Sequence, residues 1–148
     1  MSLEKDVMTQ MKVAMKAKDS ETLEALRAVK GAIILAKTDN GQQEITEEQE
    51  VKLVQKLVKQ RKDSAQLYRE QNREDLAEPE EKQAEVISQF LPEQLSEAEI
   101  EAKVEDIIAQ TGAEGMKDMG KVMGIASQQL AGKADGKTIS IIVKKKLA

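Results

Sequence analysis

The sequence predicts an all-α protein, and three observations support that prediction. Only two of the 148 residues are proline, whereas the helix-favouring residues Ala, Leu, Glu, Lys and Gln are abundant. Apolar residues recur at intervals of three and four along most of the chain, as one face of a helix requires. Two Ser/Thr-x-x-Glu/Gln capping boxes mark helix starts. We therefore expect a multihelical fold with no sheet.

The first two helices are predicted to be antiparallel and joined by a short loop. Asp19 or Ser20 supplies the N-cap of the second helix, and Asn40-Gly41 ends that helix with a turn. The apolar stripes are Leu3, Val7, Met11 and Met15 in the first helix, and Leu23, Leu26, Val29, Ile33 and Ala36 in the second.

A long third helix is predicted from Glu47 to about Gln71. The sequence Thr46-Glu47-Glu48-Gln49 forms the capping box at its start, and an apolar seam with heptad-like spacing follows. Because Arg61 interrupts that seam, we expect packing within a bundle and not a long coiled coil.

A fourth helix and a domain boundary are predicted next. Residues 72–78 are expected to be a connection, and Pro79 suits the first turn of the helix. The helix should end before Pro92, because proline disfavours helical geometry in the preceding residue. The boundary then falls around Leu91 to Gln94, which divides the chain into residues 1–93 and 94–148.

The fifth helix has the sharpest start signal in the chain. Ser96-Glu97-Ala98-Glu99 is a capping box, and Leu95 with Ile100 occupies the hydrophobic staple positions on either side of it. Ile100 opens a buried face that continues until Thr111-Gly112 stops the helix. Replacing Ser96 with Ala should cost about 1 kcal/mol.

The sixth and last elements are predicted to be helices capped by Asp118 and Asp135. The sixth carries apolar residues from Met119 to Leu130 and ends at Gly132. The last, from Thr138 to Leu147, favours strand by its Ile and Val content, but its spacing fits a helix. A single strand would also have no partner here, so we predict a helix.

Composition excludes several kinds of chemistry. The chain has no His, Cys or Trp, which rules out Ser-His-Asp or Cys-His catalysis, disulfides and an ordinary zinc site. We find no catalytic constellation and expect no metal and no cofactor. The run Glu78, Glu80 and Glu81 is read as a solvated helix start. The longest apolar runs are too short to cross a bilayer, so we expect a cytoplasmic protein with no membrane partner.

Charge is unevenly distributed along the sequence. The net charge of the whole chain is −4. Residues 112–148 contain seven lysines and three acidic residues, a net charge of +4, so residues 1–111 carry a net charge of −8. Such a basic segment on an acidic one can bind phosphates, although the lysines can equally serve to solvate a surface. Because this segment has no aromatic residue to stack on bases, any RNA contact should be to the backbone and shape of a folded RNA.

Three further sequence patterns each have two possible interpretations. Gly120 and Gly124 are predicted to permit close helix packing, and less often such spacing admits a ligand backbone. The methionines at 116, 119 and 123 are predicted to fill the core, not to form a binding surface. On the third helix, Lys56, Lys59, Arg61 and Lys62 either extend an RNA surface or are neutralised by nearby carboxylates.

Taken in order, the motifs of this chain resemble those of bacterial YqeY-like proteins. The N-terminal ones are Arg61-Lys62-Asp63-Ser64, Tyr68, Arg73-Glu74-Asp75-Leu76 and Phe90-Leu91-Pro92-Glu93-Gln94-Leu95-Ser96. The tail motifs are Asp118-Met119-Gly120-Lys121-Val122-Met123-Gly124, Ala134-Asp135-Gly136-Lys137 and Ile142-Val143-Lys144. These tail motifs are similar to the GatB/YqeY domain, which also ends the B subunit of the glutamine-dependent aspartyl/glutamyl-tRNA amidotransferase.

The resemblance implies about four helices in an N-terminal subdomain and a three-helix tail subdomain. In the amidotransferase the related tail engages tRNA, whereas glutamine hydrolysis and amide transfer occur in other domains. Stand-alone family members carry a label of carbon–nitrogen ligase activity with glutamine as amide donor, but this sequence has no glutaminase or kinase-like site.

The uneven charge together with the resemblance of the tail predicts a non-catalytic accessory protein that binds tRNA or a tRNA-handling complex. Its implied partners are tRNA, the tRNA amidotransferase or another translation-related protein. The implied RNA-contacting residues are Lys121, Lys133, Lys137, Lys144 and Lys145. The alternative is a protein-interaction adaptor with no RNA role, which would use the long third helix or the Met-lined tail.

Overall fold

The computed structural model describes residues 2–148, which form seven α-helices, one 3-10 turn and no strand. The helices are α1 (Leu3–Ala17), α2 (Ser20–Asp39), α3 (Glu47–Glu70), α4 (Glu74–Ser88), α5 (Glu97–Thr111), α6 (Met119–Gln129) and α7 (Gly136–Leu147). The prediction of an all-α fold is confirmed, including a helix and not a strand for the last segment. No helix among the described residues has both the length and the apolar character needed to cross a membrane.

Two compact units divide the chain: an N-terminal unit that ends at Leu91 and a C-terminal unit, Pro92–Ala148. The sequence-based division into residues 1–93 and 94–148 differs from this one by two residues. Each unit has its own apolar core, and no side chain in residues 2–148 that is polar or charged is buried.

In the N-terminal unit α2 supplies the central buried stripe. Leu26, Val29 and Ile33 are 0–1% exposed, and they pack in one cluster with Val54 of α3 and Ile87 of α4. Because these residues recur at three and four positions, a single face of α2 turns to the core. Helix α2 packs against α1, α3 and α4, and α3 and α4 form a tight hairpin.

Local capping fixes where these helices begin. The Ser2 hydroxyl accepts the Lys5 N–H at α1, and the Asp19 carboxylate accepts the Thr22 N–H at α2. At α3 the capping box is complete: the Thr46 hydroxyl accepts the Gln49 N–H at 3.1 Å, and the Gln49 side chain accepts the Thr46 N–H at 2.8 Å. Each cap satisfies N–H groups that have no partner within the helix.

The start of α4 corrects the sequence-based prediction. Residues 72–78 are not a connection, because the chain reverses within three residues and α4 already begins at Glu74. Asn72 adopts a left-handed conformation with φ 60°, and the Arg73 N–H donates to the Tyr68 carbonyl at 2.8 Å. Pro79 therefore lies inside the helix, in its second turn, where it removes one backbone hydrogen bond.

The C-terminal unit is a bundle of three helices. Val104 and Ile107 of α5, Val122 of α6, and Ile142 and Val143 of α7 are at most 1% exposed and form one cluster. The predicted capping box at α5 is present, and Gly112 ends this helix in the left-handed conformation, φ 66°, that glycine adopts without strain.

The caps predicted for α6 and α7 have different outcomes. The Asp135 carboxylate accepts the Lys137 N–H at the start of α7, as predicted. Asp118 makes no side-chain cap to α6; its carboxylate accepts the Glu114 N–H at 2.8 Å instead. Asp118 occupies the predicted N-cap position, but the predicted side-chain cap is absent because Met116–Asp118 forms a 3-10 turn that leads directly into α6.

Candidate nucleic-acid interface

Charge in the C-terminal unit is separated by helix. Helix α5 carries five acidic residues and one lysine, whereas α7 carries four lysines and no acidic residue. The whole unit holds eight basic and nine acidic residues, a net charge of −1. The expectation of a small basic unit is therefore wrong for the folded unit, because its boundary at Pro92 includes the acidic α5.

Two lysines of α7 are paired with α5. The Lys146 ammonium lies 2.7 Å from a carboxylate oxygen of Glu105, and the Lys145 ammonium lies 3.6 Å from one of Glu101. The hydrogen bond from Lys146 to Glu105 raises the pKa of Lys146 above its ordinary value. Sequence reasoning did not single out these two glutamates, although their spacing of four along α5 predicts that they share one face.

The other two lysines of α7 lie away from α5. Lys137 and Lys144 are seven positions apart, about two helical turns, so they share one face of α7 with the exposed Ile141 between them. Lys146 is nine positions from Lys137, about two and a half turns, and so lies on the opposite side. Within residues 2–148 neither Lys137 nor Lys144 forms an ion pair, which leaves their ammonium groups to solvent.

Helix α6 presents an open face that contains Lys121. Gly120, Lys121 and Gly124 are exposed, whereas Val122 and Ala126 point into the core. A Cβ atom added at Gly120 or Gly124 would meet no atom within 4 Å. The prediction that these glycines permit close helix packing is therefore wrong: they lie on the solvent side of α6 and expose its backbone.

Lys133 lies in the connection between α6 and α7, just before the N-terminus of α7. Its side chain is exposed, and its carbonyl accepts the Leu95 N–H at 2.9 Å. The Gln94 side chain donates to the neighbouring Gly132 carbonyl at 2.7 Å. These two hydrogen bonds attach the segment before α5 to the connection, and so hold the backbone at Lys133 in place.

The methionines of this region divide between core and surface. Met119 and Met123 are partly buried and pack against the core of the C-terminal unit, as core filling requires. Met116 lies in the 3-10 turn and is 49% exposed.

The basic patch predicted on α3 is partly used within its own unit. Arg61 donates to the Gln83 side chain at 3.0 Å and to the Leu57 carbonyl at 3.1 Å, which joins α3 to α4. Lys59 lies 3.0 Å from the Asp63 carboxylate. Lys56 and Lys62 are exposed, and Lys62 lines a cleft of about 800 Å³ between α3 and α4.

The residues that line this cleft include Arg69 and Glu81, which form an ion pair with each other. The Arg69 guanidinium donates to both carboxylate oxygens of Glu74 at 3.0 Å and also pairs with Glu81. The hydrogen bond to Glu81, followed by that to Glu74, raises the pKa of Arg69, and Arg69 lowers the pKa of Glu81. Glu81, one of the acidic run at residues 78–81, is thus a structural partner. The described residues contain no cluster of acidic side chains that could hold a metal ion.

Two groups of known proteins match this chain over stretches of different length. The chain is 35% identical over 102 residues to "Altered inheritance of mitochondria protein 41, mitochondrial" from Lachancea thermotolerans, and 38% identical over 81 residues to the protein of that name from Clavispora lusitaniae. These matches cover 68% and 55% of this chain. The matched parts make up 54% and 46% of the relatives, so the chain spans about half the length of these curated proteins.

A second group of relatives matches a shorter stretch. A glutamyl-tRNA(Gln) amidotransferase polypeptide from Thermococcus gammatolerans is 40% identical over 57 residues, which are 36% of this chain and 9% of that protein. The relation is to the C-terminal tail of the amidotransferase protein. The family model described as "Yqey-like protein" matches residues 4–147. The chain belongs to the YqeY-like protein family.

Proposed function

We propose that this protein is a non-catalytic accessory protein that binds tRNA, or another structured RNA, through the C-terminal unit. The observation that carries the proposal is a set of exposed lysines on α6, on α7 and in their connection that have no carboxylate partner among the described residues. They are Lys121, Lys133, Lys137 and Lys144. Ammonium groups left to solvent attract phosphates and release counterions when they bind them.

Two further features support a folded RNA over a single strand. The chain's two aromatic residues, Tyr68 and Phe90, both precede Pro92, so the C-terminal unit offers no ring on which bases can stack. On the exposed face of α6, Gly120 and Gly124 place no side chain of their own between the helix backbone and a sugar–phosphate backbone. Recognition by shape and phosphate position is typical of proteins that bind RNA helices.

The relatives add chemical context to the proposal. The Thermococcus protein that shares the 57-residue stretch is part of an amidotransferase that is named for its tRNA. We propose a tRNA amidotransferase or another translation-related protein as a further partner. We propose that Lys145 contributes less to RNA binding than Lys121, Lys133, Lys137 and Lys144, because a Glu101 carboxylate oxygen lies 3.6 Å from its ammonium group. A cytoplasmic location is also proposed, although the fungal relatives are mitochondrial by name.

Filter binding of bulk tRNA to the full chain tests this function. With about four phosphate contacts, affinity should fall about a hundredfold between 50 and 200 mM KCl. The triple variant K121E/K133E/K137E should bind at least tenfold more weakly at 100 mM KCl. The control, K56E/K62E on α3, reverses charge at two exposed lysines of the other unit, one fewer than the triple variant, and should change affinity less than twofold. Absence of binding at 50 mM KCl, or equal losses in both variants, would contradict the proposal.

A protein-interaction role without RNA is the second candidate, and a specific observation favours it. Large apolar side chains on α1 and α2 remain exposed: Met8, Val13, Met15, Ile34 and Leu35 are 42–63% accessible. Exposed apolar surface of this kind often marks a protein contact. A stoichiometric protein partner that survives nuclease treatment, together with no tRNA binding, would favour this role over the first.

A further inference from the structure

Glu101 and Glu105 lie beside the lysine surface of α7 to which the proposed function assigns RNA. Both glutamates project from α5 and meet adjacent lysines of α7: Glu101 meets Lys145 and Glu105 meets Lys146. The four charges of these two pairs sum to zero. One position before them, Lys144 has no such partner among the described residues. A neutralised and a free cation therefore stand next to each other on α7.

Glu101 and Glu105 act on a polyanion through electrostatic repulsion and not by sterically blocking Lys145 and Lys146. Exposed ion pairs are weak, so the pairs themselves would not prevent a phosphate from competing for Lys145 or Lys146. The carboxylates nevertheless cancel the positive potential at these lysines and repel a phosphate, over a range of about 10 Å at 0.1 M salt. Lys137 lies about half a turn around α7 from Lys146 and is much less affected.

We propose that Glu101 and Glu105 fix one edge of the RNA-binding surface, so that phosphates are held on the side of α7 that carries Lys137 and Lys144. This inference rests on the proposed function, and it adds that Glu101 and Glu105 orient the bound RNA. The two glutamates are specificity-determining residues: they contact no RNA, and they exclude it from the side of α7 that faces α5. Without them, uncompensated positive charge would extend around α7 from Lys144 through Lys145 to Lys146.

The test compares variants of the full chain for binding to bulk tRNA and to a 16-base-pair RNA duplex. E101Q/E105Q removes the two negative charges with little change in shape. It should bind about tenfold more tightly at 100 mM KCl, and the slope of log affinity against log salt should steepen by about two, because two more lysines release counterions. The helical signal in the circular dichroism spectrum of each variant shows whether the variant is folded.

Two controls distinguish a local effect of Glu101 and Glu105 from an effect of the total charge of the protein. The quadruple variant E101Q/E105Q/K145Q/K146Q restores the local net charge to zero and should return affinity and slope to the wild-type values. D106N removes one charge from the exposed neighbour of Glu105, which has no ion pair within the described residues, and should change affinity less than twofold. E105Q alone should tighten binding about threefold.

The outcomes distinguish this inference from the function on which it rests. If wild-type protein binds tRNA with the expected salt dependence but E101Q/E105Q binds no more tightly, the edge is overturned and the function stands. If D106N tightens binding as much as E105Q, the effect is one of overall charge and the edge is overturned as well. If wild-type protein binds neither RNA at 50 mM KCl, the proposed function fails and the inference fails with it.

Discussion

The two units carry similar net charges, −3 and −1, but distribute them differently. In the N-terminal unit basic and acidic residues are mixed along the helices: Lys52 pairs with Glu48 one turn away in α3, and Arg69 of α3 pairs with Glu74 and Glu81 of α4. In the C-terminal unit the acidic residues lie mainly on α5 and the lysines on α6 and α7. A unit with a slightly negative net charge can therefore still expose lysines that have no carboxylate partner among the described residues. The net charge of a unit therefore does not predict whether it can bind a polyanion, because that depends on where the folded helices place the charged side chains.

The largest expected effects come from truncating the two cores. Leu26 in the N-terminal unit and Ile142 in the C-terminal unit are 0% and 1% exposed. L26A and I142A should each lower the free energy of unfolding of their own unit by about 2–5 kcal/mol. Tyr68, the only tyrosine, lies in α3 and reports on the N-terminal unit, whereas circular dichroism reports on both.

Thermal unfolding followed by both signals checks this separation. I142A should lower the circular dichroism transition and leave the Tyr68 fluorescence transition in place, whereas L26A should lower the fluorescence transition. If I142A shifts both signals equally, the two cores unfold as one and the separation is contradicted.

The capping boxes give the next largest effect. S96A at α5 and T46A at α3 should each cost about 1 kcal/mol, since each removes the side-chain acceptor of an N–H near its helix start. Urea unfolding measures the loss. The control is S127A, an exposed serine in the last turn of α6, away from any N-cap, which should change stability by less than about 0.5 kcal/mol. A cost for S96A no greater than that for S127A would show that the cap adds no stability.

Exposed helical glycines should give a smaller effect of opposite sign. Gly31 in α2 and Gly124 in α6 have open space where a Cβ would lie, so G31A and G124A should each raise the free energy of unfolding by about 0.5–1 kcal/mol. G112A provides the contrast. Gly112 has φ 66°, which strains alanine, so this variant should be less stable than wild type. If G124A is destabilising, its helix face is covered and not open.

The smallest effect distinguishes the two capping boxes by pH. Backbone and side-chain hydrogen bonds with Ser96 lower the pKa of Glu99 below its ordinary value of 4.5, whereas the matching position at α3 is the uncharged Gln49. A lowered folded-state pKa means that the stabilisation is present above pH 4.5 and is lost as the pH falls through that lower pKa. Between pH 7 and pH 3 the variant E99Q should therefore lose less stability than wild type in urea unfolding. Equal losses would show that Glu99 does not contribute to the acid sensitivity.

Much of the fold could be predicted because its signals are local. A capping box uses residues three positions apart, and a buried stripe uses residues three and four apart, so Thr46, Ser96 and Asp135 identify helix starts without any knowledge of neighbours. The two failed predictions, a connection at residues 72–78 and a side-chain cap from Asp118, also concern local structure, but they depend on backbone turns. The tight reversal at Asn72 places Pro79 inside α4, and the 3-10 turn at residues 116–118 redirects the Asp118 carboxylate.

The sequence by itself determined the helices, most of their ends, the absence of stacking rings after Pro92 and the excess of lysine near the C-terminus. Only the tertiary structure decided which of those lysines remain available. Packing of α5 against α7 brings Glu101 and Glu105 to Lys145 and Lys146, although more than 40 residues separate the partners in the chain. It likewise left Gly120 and Gly124 facing solvent. Ion pairs and open faces depend on which helices become neighbours, and no periodicity within a single helix specifies that.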